Sequence, residues 1–98
     1  MRTTPPTTRI IARATILARV FGVMAVTRLM IAEDTGVAVG TISYRFGSMK
    51  ALRDKIVDWA VENEDIKILA DALAVRYPKL SRRLSPDLRK RIAAYFTR

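Results

Sequence analysis

Ninety-eight residues, half of them apolar, make one small folding unit with room for a single modest core. The chain has no cysteine and no histidine, which removes disulfides, thiolate metal sites and the commonest general base. A net charge of +9 points to a polyanionic partner, and no run of about twenty uncharged apolar residues offers a membrane span.

Residues 1–8, MRTTPPTT, hold two prolines and four threonines and read as a flexible arm. Over residues 9–21, Ile10, Ala14, Leu17 and Phe21 recur at spacings of four, three and four, with Ile11 and Val20 widening the stripe. That period predicts a helix with one buried face. Thr8 is placed to cap it and Gly22 to end it. Thr27 is the next cap candidate, opening a helix whose small apolar face is Leu29, Ile31 and Ala32. This helix must stop by Gly36, where glycine permits the positive φ of a sharp change of direction. Val37 then fills the angle to a third helix over residues 39–46, with Ile42 and Phe46 turned inward. Val39, Thr41, Ser43, Tyr44 and Arg45 are left outside, and none of them is acidic.

Beyond Gly47, Ser48 caps a long helical pattern whose stripe is Leu52, Ile56, Trp59, Leu69 and Leu73. It reads equally as one helix to about Val75 or as two helices broken near Asn63. YPKLSRRL is a loop, because proline disfavours helix at the residue before it. Ser85-Pro86 then starts a last helix, with Leu88, Ile92, Tyr95 and Phe96 on one side and Arg89, Lys90 and Arg91 elsewhere. No strand pattern interrupts this, so the fold class is all-α.

The charge is distributed in blocks. Residues 1–50 carry seven Lys/Arg against Glu33 and Asp34, and residues 76–98 carry eight against Asp87. Between them, residues 51–75 carry three bases and six acids. The pattern fits an acidic connecting segment held away from phosphate while both ends approach it. The acids Asp54, Asp58, Glu62, Glu64 and Asp65 have a simple explanation as a solvated face, and without histidine they make a poor metal or acid–base cluster. No catalytic, metal or cofactor residues are expected, and the protein is not read as an enzyme.

Three helices with a glycine turn between the second and third make a helix-turn-helix unit. In such a unit the third helix enters the major groove while its predecessor crosses the backbone. Small residues at its start let the helix approach the bases. Thr41 and Ser43 can reach base edges or phosphates, Val39 can pack on a thymine methyl, and Tyr44, Arg45 and Lys50 suit phosphates.

Residues 8–52 resemble the DNA-binding domain of the TetR family of bacterial repressors. The resemblance rests on Ile10, Ile11, Ala14, Phe21, Thr27, Ile31, Ala32, Gly36, Val37, Gly40, Thr41, Ile42, Phe46, Ser48 and Leu52. The segment TGVAVGTISYRFGSMKAL is similar throughout to the family's recognition helix and its exit into the fourth helix. This implies a homeodomain-like three-helix bundle over residues 9–52, extended by a long fourth helix and a short C-terminal helix over residues 53–98. The implied DNA-binding residues are Thr27, Arg28, Ala38, Val39, Thr41, Ser43, Tyr44, Arg45 and Lys50.

Five departures from the family pattern stand out. The turn between Phe21 and Thr27 is about two residues short of the family's, by the resemblance. Ala38 stands where the family favours a capping serine, a loss of roughly 1 kcal/mol. Ser43 replaces a common tyrosine, and Met49 replaces a common phosphate-touching lysine, with Lys50 next door. The family's effector-binding and dimerising domain has well over a hundred residues, whereas 46 follow Leu52 here. That is too few to enclose a drug-sized pocket of roughly 300–1,000 Å³.

The expected function is sequence-specific binding of double-stranded DNA by a small transcriptional regulator, repressor-like and without a small-molecule effector. It would be cytoplasmic, nucleoid-associated and homodimeric through its C-terminal helices. Two alternatives stay open: a phage or plasmid assembly component for packaging, replication or partition, and a helix-turn-helix module that meets another protein.

Overall fold

The computed structural model describes residues 6–97, all of whose regular structure is helical. The first helix, α1 (Pro6–Phe21), is the one on which the second, fourth and fifth helices pack. It starts three residues before the apolar period does, because proline is at ease in a first turn, where its missing N–H would have no partner. Thr8 therefore lies inside α1 instead of capping it, and residues 6–8 belong to the helix and not to an arm. Residues 1–5, the rest of that expected arm, lie outside the described residues.

Ile10, Ala14 and Ala18 form the buried face of α1, with Ile11 and Leu17 alongside. Val20 and Phe21, expected in the same stripe, are 64% and 58% exposed. The helix ends at Phe21, and Val23 and Val26 of the following turn enter the core in their place.

The second helix, α2 (Arg28–Thr35), begins as expected with Thr27 Oγ1 accepting from the Met30 N–H at 3.2 Å. Ile31 is buried, but Leu29 is exposed: two positions along a helix is more than half a turn round it. Gly36 ends α2 at φ 75°, and a Cβ there would meet nothing within 4 Å. The glycine is thus required by backbone conformation and not by space. The Thr35 hydroxyl donates to the Ile31 carbonyl at 2.7 Å and accepts from the Val37 N–H at 3.2 Å, which stiffens the bend. Val37 packs on the core, as does Phe46 of the third helix, α3 (Val39–Phe46), beside the buried Ile42.

Ser48 caps the fourth helix, α4 (Met49–Glu62), accepting from the Ala51 N–H at 3.1 Å. Of the two readings the sequence left open, the structure has the break near Asn63: α4 stops at Glu62 and α5 spans Ile66–Ala74. Glu64 takes a left-handed φ of 52° at the break, and the Asp65 carboxylate caps α5 by accepting from the Ile68 N–H at 3.2 Å. Arg19 of α1 donates its Nε–H to the same carboxylate at 2.9 Å. Asp65→Ala removes the cap and the Arg19 contacts together and is expected to cost at least about 1 kcal/mol, the usual value of a lost cap alone. A urea midpoint indistinguishable from the parent's would contradict this.

Leu80 and Leu84, on either side of a 3-10 turn at Ser81–Arg83, anchor the loop to the core. The last helix, α6 (Pro86–Phe96), starts at Ser85-Pro86 as the sequence predicts, with Ser85 Oγ accepting from the Leu88 N–H. It buries Leu88 and Ile92 and packs mainly on α5. Tyr95 is half-buried, but Phe96, expected on the inner side, is 55% exposed in the last turn and meets Tyr95 edge-on at 5.8 Å. Among the described residues no helix is long and apolar enough to cross a membrane.

Candidate nucleic-acid interface

The inner side of α3 is fixed by the buried Ile42 and by Phe46, which packs on the core, and this leaves the opposite face of an eight-residue helix outside. Val39 is exposed, Thr41 and Ser43 are half-exposed, and Tyr44 is 90% exposed. The side chains of Thr41, Ser43 and Tyr44 make no hydrogen bond among the described residues, so their polar atoms are available to a partner. Gly40 lies on this surface with open space where a Cβ would stand. Ala38 precedes the helix with extended backbone and supplies no side-chain cap, as its apolar methyl requires.

The neighbouring candidates are brought to the same end of the fold. Arg28, in the first turn of α2, donates from Nη2 to the Gly47 carbonyl at 3.2 Å, which ties the start of α2 to the exit of α3. Thr27 Oγ1 is engaged as the cap of α2. Arg45 reaches back to Thr7 Oγ1 at 3.3 Å, placing the start of α1 beside the end of α3. Lys50 is 77% exposed, but its Nζ is held by Asp54 at 3.0 Å, so phosphate contact would compete with a weak surface ion pair.

Asp54 and Tyr77 were not among the candidates, and they shape this edge. The Tyr77 hydroxyl donates to the Asp54 carboxylate across 23 residues of sequence. No local pattern announces such a bond: Asp54 looks like any acid on a solvated face, and Tyr77 like the residue before a loop proline. The hydrogen bond from Tyr77 holds the Asp54 carboxyl below its ordinary pKa, against the opposing effect of burial and with help from Lys50. Burial, followed by that same bond, pushes the Tyr77 phenol up. Arg13 likewise holds the Asp34 carboxyl down, chiefly by a hydrogen bond.

These directions fix the pH dependence. A depressed carboxyl contributes stability above its unfolded value of about 4, and the contribution is lost as pH falls through the folded value. A raised phenol contributes stability below about pH 10, lost as pH rises further. Tyr77→Phe is therefore expected to flatten stability at both extremes. Part of the acid loss should persist through Asp34. Urea midpoints across the range would show it, and an unchanged profile would contradict it.

Many cations outside α3 are matched internally. Arg83 pairs with Asp58 at 2.8 Å, and Arg91 pairs with Glu64 at 2.8 Å, so part of the basic C-terminal block is folded back on the acidic middle block. No group of three or more acids, as could hold a metal ion, occurs among the described residues. Comparison of the chain with protein-family models, curated proteins and solved structures gives no match.

Proposed function

We propose that this chain binds double-stranded DNA in a sequence-specific manner and acts as a compact transcriptional regulator of TetR-like helix-turn-helix type. The observation that carries the proposal is α3 itself. It is a short, acid-free helix with Ile42 and Phe46 turned to the core and the outward side chains of Thr41, Ser43 and Tyr44 unbonded among the described residues. A helix of this kind, following a glycine bend after α2, suits insertion into a major groove by its N-terminal turns. The surrounding Arg28, Arg45 and Lys50 supply cations for flanking phosphates.

The proposal includes a homodimer, because paired helix-turn-helix units meet half-sites about one helical turn apart. Pairing through the C-terminal helices is supported by the exposed Phe96 at the end of α6. Control without a small-molecule effector, and a cytoplasmic place on the nucleoid, belong to the same proposal.

Fluorescence anisotropy with labelled duplexes at several salt concentrations tests it. Affinity is expected to fall steeply with salt, the log–log slope being about −0.9 per phosphate neutralised. Salt-insensitive or undetectable association would overturn the proposal. Gly40 offers a variant with two effects of opposite sign. Gly40→Leu is expected to raise helix stability by up to about 1 kcal/mol, since glycine is a poor helix former. It should at the same time weaken duplex binding, because its side chain would occupy space next to the bases. A stabilised variant with undiminished affinity would show that α3 does not approach DNA by this face.

A further inference from the structure

Arg76 and Lys79 hold left-handed backbone, at φ 56° and 63°, in the turn after α5. Such a conformation is unfavourable for an ordinary residue, and glycine or asparagine would relieve most of the cost. Here both positions carry exposed cations, and neither has an ion-pair partner among the described residues. Glu64, also left-handed, differs in being paired with Arg91.

Tyr77, between the two cations, anchors the turn through its bond to Asp54, whose carboxylate is also gripped by Lys50 at 3.0 Å. The anchor sets the turn beside the first half of α4, across an open groove of about 240 Å³ whose lining includes Lys50, Arg53, Asp54, Tyr77 and Pro78. Arg53 adds a guanidinium whose Nε is buried without a hydrogen-bond partner. Arg53, Arg76 and Lys79 have no ion-pair partner among the described residues, whereas Lys50 is paired with Asp54. Asp54 is shared by Lys50 and Tyr77, and Asp58 is held by Arg83 at 2.8 Å. Bonded contacts connect this cluster to the recognition unit. α4 follows α3 through Gly47 and Ser48, and Arg28 of α2 donates to the Gly47 carbonyl.

We propose that the turn at residues 76–79, with Arg53 beside it, is a second phosphate-contacting element, gripping duplex backbone that flanks the groove occupied by α3. The proposal rests on the DNA-binding reading given above and adds a site to it. Phosphate contacts of this kind position a protein without reading sequence, so the element would supply affinity and register and leave base preference unchanged.

The test compares salt slopes of duplex binding for three forms of the full chain: the parent, Arg76→Gln/Lys79→Gln, and Lys67→Gln/Lys90→Gln, which removes equal charge from α5 and α6. The turn variant is expected to lose about two from the magnitude of its slope, at about 0.9 per phosphate, with its preference for specific over scrambled duplex unchanged. The control should keep a slope close to the parent's, and circular dichroism should show all three folded. A turn variant with the parental slope, or an equal loss in the control, overturns the second element alone. A parent that binds no duplex overturns the DNA-binding reading and this proposal together. An altered slope accompanied by altered base preference would place the turn in the recognition site itself and also overturn the proposal.

Discussion

Replacing Thr41 and Tyr44 together with alanine is expected to lower duplex affinity by at least roughly tenfold while leaving the fold intact. Each well-placed side-chain contact to a base edge is worth about 1–3 kcal/mol, and about 1.4 kcal/mol is a tenfold change. Tyr44 is 90% exposed, and neither side chain is hydrogen-bonded within the described residues, so little internal structure depends on them. Surface changes of this kind usually alter stability by less than about 0.5 kcal/mol. Anisotropy titration and thermal melting, run on the same samples, separate the two effects. Unchanged affinity in a folded double variant would leave α3 as a surface for another protein instead of DNA.

The opposite face of the same helix should behave in the opposite manner. Ile42 is 1% exposed, and Ile42→Ala is expected to cost about 2–5 kcal/mol, from lost burial and from the cavity left behind. A domain of this size has about 5–15 kcal/mol in total, and each kcal/mol moves its melting temperature by about 4–8 °C. The melting point should therefore fall by about 10 °C or more, with duplex binding lost in parallel as α3 loses its seat. A fall of only a degree or two would mean that α3 is not held by the core contact described for it. The two variants, both confined to residues 41–44, divide one helix into a binding side and a packing side.

Much of this was legible in the sequence because the local signals were strong and agreed with one another. Thr27 and Gly36 bracket α2, Ser48 and Ser85 cap α4 and α6, and Ile42 and Phe46 set the inward side of α3. What escaped detection depended on contacts between distant residues or on where neighbouring elements stop. The break between α4 and α5 was left open by the sequence and needed no glycine: Asp65 caps α5 and is pinned by Arg19 from 46 residues away. Asp65, three residues ahead of Ile68, is the cap that decides between the two readings, and an acidic stretch hid it in the sequence. Val20, Phe21, Leu29 and Phe96 were placed inward by period and hydrophobicity, although they are exposed in the fold. Tyr77 and Asp54 were missed because their bond joins a loop to a helix far apart in the chain. The outward character of α3 followed from its period, whereas the ion pair that occupies Lys50 did not.

The most direct measurement is selection of bound duplexes from a random pool by the full-length chain, followed by sequencing of the recovered sites. An enriched inverted repeat with half-sites about one helical turn apart, lost when Thr41 and Tyr44 are replaced, is the expected result. A pool that stays random through successive rounds, or the same site recovered by the double variant, would contradict a role for α3 in reading DNA.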